Sequence, residues 1–127
     1  MANSTSASLK LTVQATGENS GTWGQITNTN LLILEQAIGG YDAFNVTNAS
    51  RALTFTNGAV SNGKNEVIKL TGTLAANVNV TIPDSVEKTY TVLDSCDHAG
   101  YTLTFKTTSG TGILLCEGHT YQLWSDG

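Results

Sequence analysis

The stretch "GTWGQITNTNLLILEQAIGG", residues 21–40, is the one part of this chain whose pattern predicts a helix. Thr22 followed by Gln25 has the spacing of a capping box, and the pair Gly39-Gly40 is a stop signal. We therefore predict a helix over about residues 23–38. Its apolar side chains fall within an arc of about 160°; they are Trp23, Ile26, Leu31, Ile33, Leu34, Ala37 and Ile38.

Two residues break the amphipathic pattern of this helix. Leu32 points to the polar side, so apolar surface should remain exposed and find a partner, either a sheet edge or copies of the helix in other subunits. Asn30 lies within the apolar stripe, where it either fixes register and oligomeric state or bonds a nearby loop backbone. We expect Trp23 to be buried as an anchor. The predicted helix or oligomer interface comprises Trp23, Ile26, Asn30, Leu31, Leu32, Leu34 and Ile38.

Short strands are predicted on both sides of the helix. Thr, Ser, Asn and Gly fill 54 of the 127 positions, a composition that favours turns and exposed strand faces. Asn57-Gly58 and Asn62-Gly63 are typical of tight hairpin turns, and the strands recur about every ten residues. The prediction is a mainly β protein, an antiparallel β-sandwich or barrel with a single amphipathic helix near the N-terminus. Residues 1–8 are predicted as a flexible arm and residues 9–127 as one domain.

Composition and charge exclude several classes of protein. The net charge is -4 and the six basic residues are scattered, so we expect no nucleic-acid binding. No apolar run approaches about 18 residues, so we expect no membrane span. The N-terminus lacks the basic start and apolar core of a secretory signal. Hydrophobic content of 39% against 13% charged residues indicates a folded protein.

The side chains best suited to metal binding or catalysis are those of two cysteines and two histidines. Cys96, His98, Cys116 and His119 are ligand types that zinc selects. The segment around Cys96 is nevertheless typical of a hairpin turn, so we predict free thiols and no metal. No nucleophile motif accompanies the acidic residues near the C-terminus, and the sequence therefore predicts no catalytic residues and no cofactor. These acids, which we expect to be solvated, are Asp94, Asp97, Glu117 and Asp126.

Aromatic side chains offer a second kind of site. Such residues either line a sugar-binding surface or belong to the core of the sheets; they are Trp23, Tyr41, Tyr90, Tyr101, Tyr121 and Trp124. Those near the C-terminal turns, Tyr101, Tyr121 and Trp124, form the possible binding surface.

The helix stretch, with its W-G-x-x-T-N-x-N pattern, and the later segments "IKLTGTLAANVNVTIP" and "LTFKTTSGTGILLCEGHTYQLWSDG" together resemble a module of tailed-phage virion proteins. This module is found in fibre and decoration proteins of marine and cyanobacterial phages. The resemblance covers nearly all of residues 15–127 and is most specific over residues 23–40. It implies a virion structural protein, often trimeric, without enzymatic activity.

One departure from the module bears on its role. In fibres the module is embedded in a much longer chain, whereas this sequence runs from Met1 to Gly127. We therefore expect a capsid decoration protein that stabilises the head, with a tail-fibre or receptor- or glycan-binding module as the alternative. The implied partners are other copies of the chain, first as a trimer, and the major capsid protein or other virion proteins. The implied location is the virion, assembled in the host cytoplasm.

Overall fold

A computed structural model describes residues 2–47 and 49–127 of the protein. Its elements, in chain order, are β1 (Ser4–Thr5), β2 (Thr12–Val13), α1 (Trp23–Gly39), β3 (Tyr41–Asn45), β4 (Arg51–Ala52), a 3-10 helix (Asn62–Lys64), β5 (Val67–Thr73), β6 (Val78–Ile82), β7 (Glu87–Asp97), β8 (Leu103–Thr107), β9 (Ile113–Leu115) and β10 (Thr120–Asp126). The helix thus has nearly the predicted bounds.

Two four-stranded sheets form the body of the protein. One has the strand order β10-β7-β5-β3 and the other the order β4-β6-β8-β9. They pack face to face, because one continuous cluster of buried side chains draws on both sheets. Within it, the rings of Tyr90 and Phe105 meet edge to face, with centroids 5.4 Å apart. The prediction of a mainly β fold with a single helix is confirmed.

The direction of strand pairing differs from the antiparallel arrangement that the sequence predicted. The pairs β3–β5, β5–β7, β4–β6 and β6–β8 are parallel, whereas β7–β10, β8–β9 and β1–β2 are antiparallel. The chain crosses from one sheet to the other at each step between β3 and β8. Neighbouring parallel strands of the first sheet are therefore separated in the sequence by one strand of the other sheet. Tyr41 lies beside Val67 in this way, and Val67 lies beside Thr91.

The error has a physical cause. The Asn57-Gly58 and Asn62-Gly63 pairs, which are typical of hairpin turns, both lie in the connection between β4 and β5, strands of different sheets, so neither joins an antiparallel pair.

In β6, the side chains of Val78, Val80 and Ile82 are buried and that of Asn79 is exposed. Such alternation is usual in antiparallel sheets, since parallel sheets are commonly covered on both faces. Here each sheet has one face on the core and the other face outside. The alternation therefore shows that one face of the strand is buried, but it does not show whether neighbouring strands run parallel or antiparallel. The short connection after β5 crosses to the opposite sheet and forms no hairpin.

The N-terminal segment makes defined contacts. In the described part of the predicted arm, β1 pairs with β2, and the side-chain Oδ1 of Asn3 accepts from the Ala15 backbone N–H at 3.0 Å. Ser8 reaches the first sheet, where its Oγ accepts from the N–H of Glu87 at 3.0 Å. These residues form a small hairpin beside the helix, and Met1 lies outside the described residues.

The helix packs outside the sandwich core. Ile33 is its one fully buried residue among those described, and the core cluster contains no helix residue. Trp23 is 64% exposed, so the expectation of a buried anchor is wrong. The reason is that the hairpin contacts the helix through other positions, with Gln14 bonded to Thr27. The predicted capping box is also absent, since the Thr22 hydroxyl donates to the carbonyl oxygen of Asn19.

Candidate functional site

The most prominent surface feature is an exposed apolar face at the C-terminal half of the helix. Leu31, Leu34 and Ile38 follow the three-then-four spacing of a helical seam and are 58%, 37% and 79% exposed. Tyr41 at the start of β3 and Val60 of the following connection extend this face. We call the six residues Leu31, Leu32, Leu34, Ile38, Tyr41 and Val60 the helix patch; they line an open cleft of ≈ 960 Å³.

The backbone beneath the helix patch is firmly held. Gly40 N–H donates to Gln36 O at 2.8 Å, and the N–H of Glu66 donates to the same oxygen at 3.1 Å. The Gln36 side-chain amide donates to Ser61 O at 2.8 Å. Gly40 is required here by close approach, because a Cβ at this position would lie 2.5 Å from the backbone oxygen of Gln36. The helix end is therefore fixed to the start of β5, and the patch is presented on a rigid base.

The helix patch carries almost no charge. Glu35 is the single charged residue of the helix and the single one in the lining of the cleft. Four of the six patch residues were predicted for the interface; Tyr41 was predicted only among the candidate aromatic residues, and Val60 was not predicted. The signal for Tyr41 was its aromatic side chain, since the helical spacing of Leu34 and Ile38 ends with the helix at Gly39. Val60 carried no such signal, because only the folded chain brings it beside the helix.

Asn30 has a structural role within its own chain. Its side-chain oxygen accepts from the Thr12 N–H at 2.9 Å, and its side-chain amide donates to Thr12 O at 2.9 Å. Of the two alternatives left open, the structure thus shows the bond to a nearby backbone, here that of β2. Ile26, also predicted for the interface, is half-buried.

Replacing Asn30 with alanine is expected to lower the free energy of unfolding by about 1–3 kcal/mol, because both backbone groups of Thr12 lose their partner. Urea denaturation measures this. Asn28, exposed on the same helix, is the matched control, and its change to alanine should shift stability by less than about 0.5 kcal/mol. Equal effects of the two substitutions would contradict the assigned role of Asn30.

The three aromatic residues of the possible binding surface do not share one site. Trp124 is 69% exposed and lines a groove of ≈ 250 Å³ between β9 and β10. Tyr121 packs partly against the core, and its hydroxyl oxygen accepts from the Cys116 N–H at 2.8 Å. Tyr101 lies in the β7–β8 connection, 42% exposed, and does not line the groove. Trp124 is therefore the member of the set that adjoins a cavity.

The cysteines and histidines likewise do not converge. No group of three or more His, Cys, Asp or Glu side chains within residues 2–47 and 49–127 has the geometry to hold a metal ion. His98 Nε2 instead lies 2.6 Å from a carboxylate oxygen of Asp94. This carboxylate is fully buried, so the expectation that Asp94 is solvated is wrong. The other oxygen of that carboxylate accepts from the Cys96 N–H at 3.0 Å. His119 Nδ1 contacts the Glu117 carbonyl oxygen at 3.1 Å.

The two thiols should differ in reactivity. Burial first, and then the neighbouring Asp94 carboxylate, raise the pKa of the Cys96 thiol to about 12, so that it stays protonated at pH 8. Cys116 is exposed. A disulfide reagent at pH 8 is expected to label one thiol per folded chain rapidly and two in urea. Cys116→Ser should abolish the rapid phase, whereas two rapid equivalents in the folded protein would contradict this assignment.

No protein-family model matches the chain, and no curated protein or solved structure is significantly similar to it. In the part of the chain that the structure describes, the single helix is too short and too polar to cross a membrane.

Proposed function

We propose that the protein is a bacteriophage virion structural protein that works as a multi-copy assembly, in the first place as a capsid decoration protein. The observation that carries this proposal is the helix patch. Its six apolar side chains are contiguous, mostly exposed and set on a rigid base, an arrangement typical of an interaction surface. The resemblance of residues 15–127 to tailed-phage virion modules supplies the biological setting.

The proposed first partner is the chain itself, as a trimer. Leu31, Leu34 and Ile38 have the spacing with which helices pack against one another around a common axis. The patch offers no set of charged groups that would select a charged partner, and self-contact brings few like charges together because Glu35 stands alone. The major capsid protein or another virion protein is the proposed second partner, and assembly takes place in the host cytoplasm.

The chemistry of the C-terminal turns supports a structural role over a catalytic one. The Cys96 thiol has a raised pKa and is a poor nucleophile at neutral pH. His98 and Asp94 are paired with each other at 2.6 Å. The proposal therefore includes no cofactor, no metal and no enzymatic activity. The net charge of -4 without a basic stripe supports a partner other than nucleic acid, and suits dense packing of identical copies.

The alternative proposal is a tail-fibre or receptor-binding module. It is favoured by one specific feature, the exposed Trp124 beside a groove at the edge of the sandwich. The two proposals differ in where the protein lies on the particle, on the head or on the tail.

Particles with and without the protein distinguish these proposals. A decoration protein that binds only the assembled shell stabilises it by mass action, so particles lacking the protein should release their genome at a lower temperature or at low salt. Host attachment should be equal in both. Equal genome release together with lost attachment would contradict the decoration role and support the tail-fibre alternative.

A further inference from the structure

The first sheet ends in β3, whose outer side carries backbone groups that no strand uses. The Val46 N–H donates to Thr71 O at 3.1 Å, so the even-numbered residues of this segment direct their backbone groups towards β5. The residues between them direct N–H and C=O to the opposite side, where no described strand lies. We call these three exposed residues, Tyr41, Ala43 and Asn45, the β3 edge. Such an edge is a template for a further strand.

Two opposite charges stand beside the β3 edge. The Arg51 guanidinium on β4 lies 4.9 Å from the centroid of the Phe44 ring, and its Nη1 donates to Asn45 O at 3.3 Å. Its other N–H groups make no hydrogen bond to the described residues. Asp42 is half-buried on the same face of β3 as Phe44, and within the described chain its carboxylate has no hydrogen-bond or ion-pair partner. A half-buried carboxylate of this kind is stabilised by a cation from outside.

One register of pairing with a second copy satisfies all of these groups. When two β3 strands run antiparallel about a two-fold axis at Ala43, each Ala43 exchanges both backbone hydrogen bonds with the other. Tyr41 of each copy does the same with Asn45 of the second copy. Asp42 then stands opposite Phe44 of the second copy, whose ring carries a guanidinium group. Because the axis is two-fold, this ion pair occurs twice.

We propose that the β3 edge pairs in this way with the β3 edge of a second copy, with ion pairs between Asp42 and Arg51 of different copies. The first sheet would then continue from one copy into the next and cover Phe44, which lies at the margin of the core. An unrelated extended segment would meet the backbone groups but has no fixed match for both charges. The competing role of Asp42 is to repel strands, since charged residues at edges block pairing.

The contact is short, so its dissociation constant should be on the order of 1 mM. It therefore acts where copies are held close together and their effective concentration is high, as on the surface of a shell. That setting rests on the proposed function. The pairing itself uses other residues than the helix contact and does not need the helix patch to self-associate.

Disulfide trapping at position 43 tests the pairing. The two residues on the axis should have Cα atoms about 5.5 Å apart, within the range of a disulfide. The reporter Ala43→Cys is placed in a background of Leu31→Asp and Cys116→Ser, which removes the helix contact and the exposed thiol. In a glutathione redox buffer it should form at least about tenfold more disulfide dimer than the control reporter Asn28→Cys, which is exposed on the helix.

Exchange of charges identifies the ion pairs. In the reporter protein, Asp42→Arg and Arg51→Asp each place like charges across the axis, so each should lower dimer formation about tenfold or more. A mixture of the two variants has opposite charges at both contacts and should form the mixed dimer, which mass spectrometry distinguishes. Circular dichroism checks the fold of each variant. Asp42→Asn keeps the shape of the side chain and should lower dimer formation several-fold, also where Asp42→Arg does not fold.

Three results would overturn the proposal. They are equal trapping at positions 43 and 28, no mixed dimer from the two charge variants, and more dimer in Asp42→Asn than in the reporter. The third would show that the carboxylate repels neighbouring strands. Sedimentation of the parent protein at micromolar concentration reports the helix patch alone, so the two proposals fail or succeed separately.

Discussion

Replacing Tyr90 with alanine is expected to lower the free energy of unfolding by about 3–5 kcal/mol, the largest effect of any substitution considered. Tyr90 lies on β7, is 0% exposed and packs edge to face on Phe105 of the opposite sheet. Its hydroxyl also donates to Gly63 O at 2.6 Å, and so ties the 3-10 helix to the sandwich. The truncation would leave a cavity and a buried acceptor together.

Urea denaturation of a graded pair of variants tests this account of Tyr90. Tyr90→Phe keeps the ring and removes the hydroxyl, so it should cost only about 1–2 kcal/mol. If Tyr90→Ala does not fold, Tyr90→Leu gives the intermediate value. A loss in Tyr90→Phe as large as in Tyr90→Ala would show that the hydrogen bond, and not the ring, supplies the stability.

The second large effect is expected at Lys88, a buried charge near the same loop. Its ammonium group donates to Asn65 O at 3.1 Å and Thr89 O at 2.8 Å, and lies 3.5 Å from the Glu66 carboxylate. It also stands 4.1 Å from the centroid of the Tyr90 ring. Burial lowers the pKa of Lys88, and the carboxylate of Glu66 opposes that shift. The group thus joins β7 to the connection that precedes β5.

Lys88→Met keeps the length of the side chain and removes its donors, and is expected to cost about 2–3 kcal/mol. Lys69→Met on β5 is the matched control, because Lys69 is half-buried on the outer face of the same sheet; its effect should stay within about 0.5 kcal/mol. Thermal and urea unfolding measure both. A loss shared by the two variants would point to a general effect of charge. Because Lys88 contacts Tyr90, their substitutions should not be additive.

Local patterns predicted the helix well. The spacing of its apolar residues and the pair Gly39-Gly40 gave bounds within a residue of those observed. What the pattern did not reveal is which part of its apolar arc is covered. The hairpin of residues 4–13 meets the helix at Asn30, and Ser61, just before the 3-10 helix, meets it at Gln36, while Trp23 and the helix patch remain exposed.

The sheets show a different limit. Composition and the spacing of the turns predicted short strands, but the parallel order depends on contacts between residues far apart in the sequence, such as Val67 with Thr91. No local signal encodes those contacts. The groove at Trp124 has the same origin, since residues of β8, β9 and β10 line it together only in the folded sandwich.

The central claim is that the helix patch joins copies of this chain, and sedimentation velocity at micromolar concentration tests it most directly. The account predicts a trimer of about 40 kDa, three times the 13.3 kDa chain, and dissociation in Leu31→Asp. Leu114→Asp, at an equally exposed leucine outside the patch, should leave the trimer intact. A 13.3 kDa monomer in the parent protein, or an assembly that survives Leu31→Asp, would contradict the claim.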